Sequence, residues 1–102
     1  MGRFAGRAYL ITGAARGIGL AVAEKLLAEG ARIAAADLDA AGLAALAAAH
    51  PGVITASFDT RDSEATETFV AQAVRAFGRL DGAIPAAGIA RAAPAEEMSD
   101  AT

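Results

Sequence analysis

Three glycines with a distinctive spacing are the residues of this sequence best suited to binding chemistry. Gly13, Gly17 and Gly19 lie between an apolar stretch typical of a β-strand and a stretch typical of an α-helix. Gly13 suits the tight turn, Gly17 lets a ligand approach the backbone, and Gly19 lets the helix pack closely on the strand. The unpaired N–H groups and the positive end of the helix dipole then face outward. This loop is therefore predicted to bind a pyrophosphate; the alternative is a glycine-rich turn without a ligand.

The order of these glycines narrows the class of nucleotide-binding protein. The spacing is G-x-x-x-G-x-G, which differs from the G-x-G-x-x-G of two-domain dehydrogenases, and no Lys-Ser or Lys-Thr follows as in a P-loop. The run from Thr12 to Gly19 resembles the cofactor signature of the short-chain dehydrogenase/reductase family. This resemblance extends through essentially the whole chain, although a typical member is more than twice as long. It implies a cofactor-binding Rossmann unit.

An acidic residue stands where such a unit binds the adenosine ribose. Asp37 closes the second predicted strand, 24 residues after Gly13, and its carboxylate can accept both ribose hydroxyls. The alternative is that Asp37 caps the following helix, a role that Asp39 could also fill. The same carboxylate disfavours a 2′-phosphate, because two unit charges about 4 Å apart repel by about 4 kcal/mol at an effective dielectric constant of 20. In some members of the family that this chain resembles, a basic residue at the position of Arg16 accompanies a preference for NADP; the alternative is that Arg16 is a solvated loop charge. Leu38 adds no second cation, so NAD is the expected cofactor.

The resemblance implies further contacts at two other strand ends. Members of the family place an Asp after the third strand, and Asp59 with Thr60 matches that position for adenine recognition; capping of the following turn is the alternative. Ala87-Gly88 matches the second half of the family's Asn-Asn-Ala-Gly motif, whereas Pro85-Ala86 departs from its first half. The complete set of residues expected to contact the cofactor is Gly13, Ala15, Arg16, Gly17, Ile18, Gly19, Asp37, Leu38, Asp59, Thr60, Ala86, Ala87 and Gly88.

The acid–base residues of the family have no counterpart in this chain. The family uses a Tyr with a Lys four residues later, together with a Ser that polarises the carbonyl. Here the single Tyr is Tyr9, in the first strand, and the single Lys is Lys25, in the first helix. No catalytic residue is therefore predicted, and the isolated chain is expected to be inactive. The expected function is the cofactor-binding part of an NAD-dependent oxidoreductase that acts on an alcohol/ketone pair; the alternative is a truncated, non-catalytic nucleotide-binding module.

Composition excludes several other classes. The net charge of −3 with scattered signs argues against a nucleic-acid surface, and a chain with no cysteine and only His50 as histidine offers no metal cluster. The first residues contain no apolar run long enough for a signal peptide, and Gly6 stands where a myristoylation signal has Ser or Thr, so a cytoplasmic location is expected. Alanine accounts for 31 of the 102 residues, which leaves 25 larger apolar side chains for a core. We therefore expect a homo-oligomer, or a companion chain that supplies the missing half.

The predicted elements alternate without a linker or repeat. Apolar stretches predict strands at 8–12, 32–36, 53–58 and 80–86, and helical periodicity predicts helices at 17–29, 40–49 and 62–77. Ile18, Val22 and Leu26 recur at helical spacing in the first helix, and Gly30 ends it.

This order predicts an α/β fold: a Rossmann-type doubly wound parallel sheet, with strand order 3-2-1-4 and incomplete relative to the full family fold. Residues 1–90 would form an NAD-binding half-domain, with ligand across the carboxyl ends of strands one and four. Residues 91–102 would form a tail leading toward a helix that the chain does not contain.

Overall fold

Strands and helices alternate along the chain in the predicted order. A computed structural model describes residues 2–86, so the predicted tail and the positions of Ala87 and Gly88 lie outside the described residues. The strands predicted at 53–58 and 80–86 are one or two residues shorter at each end. The elements are β1 (Ala8–Thr12), α1 (Gly17–Ala28), β2 (Arg32–Asp37), α2 (Ala40–Ala49), β3 (Ile54–Ser57), α3 (Ser63–Phe77) and β4 (Gly82–Pro85).

The four strands form one parallel sheet in the order β3-β2-β1-β4, which confirms the predicted Rossmann-type topology. β1 lies between β2 and β4, with Leu10 opposite Ala34 on one side and Ala83 on the other. All strands point the same way, so the loops after β1, β2 and β3 and the end of β4 lie at a single edge of the sheet. The topology therefore brings the predicted site residues to one end of the molecule.

Each face of the sheet packs against its own helices. On one face, the fully buried Ile11 and Ile33 pack with Leu43 and Leu46 of α2 and with α1. On the opposite face, α3 packs over Leu10, Ala34 and Ala36 through Phe69 and Ala73. Because many of the buried residues are alanines, whose side chains are small, the helices lie close to the sheet. A chain with few large apolar residues can thus still form two cores.

α1 packs against the core through both small and large residues. Gly19 and Ala23 are buried, and Leu20, Val22, Leu26 and Leu27 are partly buried against the same core. Ile18 is 43% exposed. Val22 and Leu26, which recur at helical spacing, thus contact the core, whereas Ile18 does not.

The helix ends explain where α2 and α3 begin. Asp39 precedes α2 and its Oδ1 accepts the Gly42 N–H at 3.0 Å, while Asp62 precedes α3 and its Oδ1 accepts the Ala65 N–H at 3.1 Å. Such caps satisfy backbone donors that a helix leaves unpaired in its first turn. α3 ends at Gly78, whose φ of 77° closes the helix in the left-handed conformation.

Candidate functional site

The loop that contains Gly13, Gly17 and Gly19 (residues 12–19, the glycine loop) is bound in its first half to the end of β2. The N–H groups of Gly13 and Ala14 both donate to the carbonyl oxygen of Ala36, at 2.8 and 3.3 Å. Gly13 has a φ of 72°, a left-handed conformation that glycine adopts without steric cost. The chain therefore turns sharply after β1 and remains attached to the neighbouring strand.

Gly19 allows α1 to lie directly on this loop. A β-carbon at position 19 would lie 1.9 Å from the carbonyl oxygen of Gly13 and 3.1 Å from the α-carbon of Ala14. No larger residue fits there without moving backbone atoms. The close packing predicted for Gly19 is thus present, and its partner is the loop itself.

The start of α1 offers free hydrogen-bond donors. Its N-cap residue is Arg16, and no side chain caps the helix, in contrast to the Asp-capped α2 and α3. The first N–H groups of any α-helix lack partners within the helix, and the dipole makes this end positive. A β-carbon at Gly17 would meet nothing within 4 Å, so the space in front of this turn is open. Donors, positive potential and room for an anion thus coincide.

Asp37 connects the end of β2 with the glycine loop. Its Oδ2 accepts the Ala15 N–H at 3.1 Å and its Oδ1 accepts the Asp39 N–H at 3.0 Å. The helix-capping alternative for Asp37 is wrong, because Asp39 makes the cap of α2. The half-buried Asp37 carboxylate instead lies beside the loop that the sequence pattern predicts to bind phosphate. Sequence reasoning missed this contact, since it joins residues 22 positions apart.

Asp59 organises the turn between β3 and α3. Its Oδ1 accepts the N–H of Arg61 at 2.9 Å, and its carboxylate holds the Arg61 guanidinium through contacts of 3.1 and 2.8 Å. Hydrogen bonding to Asp59 raises the pKa of Arg61. The turn-capping interpretation of Asp59 is therefore observed, and contact of Asp59 and the half-buried Thr60 with adenine stays a prediction.

The end of β4 lies next to the glycine loop. Pro85 is the last residue of this strand and pairs in register with Thr12. Because proline has no N–H to donate, it suits the end of a strand better than its middle. Ala86 follows and is buried at 1% exposure in the core shared with α1 and α2. The backbone thus reaches the carboxyl ends of β1 and β4, where the ligand is predicted to lie, despite the departure from the family motif.

Two large apolar side chains are exposed at this edge of the sheet. Ile18 of α1 is 43% exposed, and Leu38, which directly follows Asp37, is 66% exposed. Both belong to the set expected to contact the cofactor.

A groove of about 400 Å³ lies outside this constellation. It opens between β3 and α3, with Phe58 and Phe69 in edge-to-face contact and Asp62, Glu64 and Gln72 among its lining residues. None of its lining residues belongs to the glycine loop or to the end of β2. The predicted nucleotide site and this groove are therefore separate surfaces.

Tyr9 and Lys25 take part in packing and in an ion pair, respectively. The Tyr9 ring packs edge-to-face on Phe4 with ring centres 6.0 Å apart, and Lys25 Nζ lies 3.3 Å from the carboxylate of Glu29. The Arg3 N–H and then Lys25 lower the pKa of Glu29. Neither side chain is placed as the family's tyrosine–lysine pair requires.

Residues 2–86 contain no cluster of three or more potential metal ligands. Within the same range, no helix combines the length and the apolar composition needed to cross a lipid bilayer.

Comparison with protein families gives one match that covers nearly the whole chain. The model of the short chain dehydrogenase family matches residues 7–102. The chain belongs to the short-chain dehydrogenase family. The glycine loop, the 3-2-1-4 sheet and the acidic end of β2 are thus features of a family member, as the sequence pattern indicated.

Individual family members are similar over a limited part of their length. D-Threitol dehydrogenase of Mycolicibacterium smegmatis is 43% identical over 104 residues, covering 95% of this chain and 39% of that protein. Cis-1,2-dihydrobenzene-1,2-diol dehydrogenase of Pseudomonas putida is 39% identical over 88 residues, covering 85% of this chain and 32% of that protein. The chain therefore spans less than half the length of these relatives.

A solved structure of the family shows the same fold. Carveol dehydrogenase from Mycobacterium avium, in complex with NAD, superposes with a TM-score of 0.77 at 35% identity. The match covers 81% of this chain and 36% of the carveol dehydrogenase chain. The shared part is the parallel sheet with its helices.

Proposed function

We propose that this chain forms the NAD-binding part of a short-chain oxidoreductase. In the intact protein, hydride would pass between NAD(H) and an alcohol/ketone pair. The observation that carries this proposal is the placement of the Asp37 carboxylate, 3.1 Å from the Ala15 N–H, beside an α1 start that no side chain caps. A hydroxyl acceptor and a set of anion donors are what an adenosine diphosphate moiety requires.

The division of roles follows from the donors and acceptors of the loop. The N–H groups of Gly13 and Ala14 are engaged with Ala36, so the pyrophosphate would be held by the N–H groups at the start of α1. The exposed Arg16, which makes no ion pair within residues 2–86, would add a positive charge there. Each Asp37 oxygen accepts one backbone hydrogen bond and has capacity for a second, so both ribose hydroxyls can be bound without breaking either contact.

The adenine ring would lie between the ends of β2 and β3. Leu38 and Ile18 offer exposed apolar surface, and Asp59 with Thr60 offers polar groups at the turn after β3. Backbone contact of Ala86, Ala87 and Gly88 with the nicotinamide ribose stays a prediction. Burial of the exposed Leu38 side chain would add to affinity, since full burial of a leucine is worth about 1.5–3 kcal/mol.

NAD is the preferred form of the cofactor in this proposal. A 2′-phosphate would lie next to the Asp37 carboxylate, whose two oxygens already point toward the loop and toward Asp39. Two unit charges 4 Å apart repel by about 4 kcal/mol at an effective dielectric constant of 20. This repulsion between the phosphate and Asp37 exceeds the attraction between the phosphate and the exposed Arg16, because exposed ion pairs contribute only about 0–1 kcal/mol. Carveol dehydrogenase, a structural neighbour, is seen in complex with NAD, which supports this choice.

The names of the relatives support a proposal for the substrate class. The two relatives described above are named for threitol and for a cis-dihydrodiol. We propose that the intact protein acts on a secondary alcohol. Vicinal diols are the first compounds to test as substrates. Oxidation would transfer hydride from the carbinol carbon to NAD and release a proton.

The second candidate function is a nucleotide-binding module without catalysis. Tyr9 and Lys25 supply packing and an ion pair rather than an acid–base pair, which favours this alternative for the chain by itself. A product of the same gene that continues with a Tyr-x-x-x-Lys motif and reduces NAD would favour the enzyme. Intact-mass measurement of the native protein, followed by assay, separates the two.

Calorimetric titration of the 102-residue chain with NAD and NADP tests the proposal. We expect NAD to bind and NADP to bind more than about tenfold more weakly, because tenfold corresponds to only about 1.4 kcal/mol of the expected repulsion. ADP should compete with NAD, since it carries the ribose and both phosphates. A folded chain that binds neither NAD nor ADP would overturn the proposed function.

A further inference from the structure

Gly42 of α2 lies unusually close to the glycine loop. A β-carbon at position 42 would lie 2.8 Å from the β-carbon of Ala15 and 3.2 Å from its carbonyl oxygen. Van der Waals contact between carbon atoms needs about 3.5–4.0 Å, so any side chain at position 42 would push the helix and the loop apart. α2 can occupy its observed position only because residue 42 is glycine.

Ala15 is held on two sides. Its N–H donates to Asp37 Oδ2 at 3.1 Å, and its side chain is 7% exposed against the start of α2. Gly42 donates its own N–H to Asp39 Oδ1, the cap of α2, at 3.0 Å, and the Asp39 N–H in turn donates to Asp37 Oδ1 at the end of β2 at 3.0 Å. The loop, the end of β2 and the start of α2 therefore form one packed unit.

Glycine at position 42 is unfavourable for the helix itself. Within a helix, alanine is preferred over glycine because glycine loses more backbone entropy on folding. α2 is otherwise rich in alanine, with seven alanines among its ten residues. The exception falls at the position that faces Ala15, which indicates that contact with the loop outweighs helix propensity there.

We propose that Gly42 is a positioning residue for the cofactor phosphates. By letting α2 close on Ala15, it keeps the Ala15 N–H on Asp37 and sets the path of residues 16–19, whose N–H groups face the pyrophosphate. This inference rests on the proposed function for its ligand. Its structural part, the coupling of Gly42 to the Ala15–Asp37 hydrogen bond, is independent of any ligand.

The test combines one disruptive, one compensating and one control substitution in the full chain. Gly42→Ala should speed amide hydrogen exchange at Ala15 by about tenfold, the effect of losing one backbone hydrogen bond. It should also weaken ADP binding more than adenosine binding, because adenosine lacks the phosphates. Adding Ala15→Gly removes the 2.8 Å contact but leaves those with Asp39 Oδ2 at 2.9 Å and with the carbonyl oxygen of residue 15 at 3.2 Å. The double variant should therefore recover most of both properties. Gly52→Ala, at a position where a β-carbon meets nothing within 4 Å, should change neither.

The outcomes separate this inference from the proposed function. Unchanged Ala15 exchange in Gly42→Ala would overturn the coupling, whatever ligands the chain binds. Equal losses of ADP and adenosine affinity would indicate general destabilisation and overturn the positioning role. If Gly42→Ala does not fold, recovery of the fold by Ala15→Gly is expected, and failure of the double variant to fold would overturn the proposal. Wild-type protein that binds no ADP would overturn the proposed function, and the phosphate role of Gly42 with it.

Discussion

The carboxylate of Asp37 and the amide of Ala15 are joined by a 3.1 Å hydrogen bond that ties the end of β2 to the glycine loop. A residue expected to recognise ribose thus also contacts the backbone of the loop expected to bind phosphate. The two functions are coupled through one side chain. Substitution of Asp37 will therefore affect both halves of the adenosine diphosphate site.

Asp37→Ala should weaken NAD binding by about 1–3 kcal/mol, the scale for loss of hydrogen bonds to a charged group. The preference for NAD over NADP should narrow as well, because the repulsion of a 2′-phosphate disappears. Calorimetry on both cofactors measures the two effects. Glu67→Gln, at an exposed position of α3, is the matched control for loss of a carboxylate charge. NAD affinity equal to that of the wild type would contradict the ribose assignment.

Gly17 and Gly19 should respond differently to alanine. Gly19→Ala places a β-carbon 1.9 Å from the Gly13 carbonyl oxygen, and such overpacking typically costs about 1–3 kcal/mol of stability. Gly17→Ala meets no neighbour, but its φ of 60° costs an alanine roughly 1–2 kcal/mol. The β-carbon at position 17 also enters the open space in front of α1. The loss in free energy of NAD binding should therefore exceed the loss in free energy of unfolding.

Thermal melting and NAD titration of both glycine variants check this division. The Gly19 variant is expected to have the lower melting temperature. The Gly17 variant is expected to lose more NAD affinity relative to its decrease in melting temperature. Identical melting temperatures with identical affinities would show that the two glycines do not have separate roles.

Asp81 should make the stability of the chain depend on acid pH. Hydrogen bonds from Arg79, and next from the Ala8 N–H at 2.8 Å, lower the pKa of Asp81 below 3.8. A carboxyl group with a lowered pKa in the folded state stabilises the fold above its unfolded pKa and loses that contribution as the pH falls through the folded value. Asp81→Asn should therefore lower the melting temperature at pH 7, and this difference should shrink as the pH falls below about 3.8. A difference that stays constant down to pH 2.5 would contradict the linkage.

The isolated chain should show no dehydrogenase activity and should self-associate. β4 is an edge strand of the described sheet, and an uncovered edge exposes backbone groups that pair with other chains. NAD reduction with secondary alcohols and vicinal diols tests the first statement, and sedimentation velocity tests the second. A well-folded monomer that turns over a substrate would defeat both.

Sequence patterns determined the order of elements, the sheet topology and the glycine loop, because each depends on local spacing. Glycine positions, helical periodicity and capping residues are properties of short segments, and the strand–helix alternation restricts a parallel sheet to few topologies. The same logic placed Asp37 at the end of β2. It could not decide between Asp37 and Asp39 as the cap of α2, since either residue type caps a helix equally well.

Only the tertiary structure decided which surfaces meet. Gly19 was expected to pack on the first strand, whereas a β-carbon there would meet the carbonyl oxygen of Gly13 in the loop at 1.9 Å. The contact of Gly42 with Ala15 depends on the relative placement of α2 and the loop, which no local pattern encodes. Hydrophobic spacing indicates which residues avoid water. Whether a β-carbon has room at a given glycine depends instead on how whole elements pack against each other. The sequence by itself thus determined what the loop is, and packing determined what holds it in place.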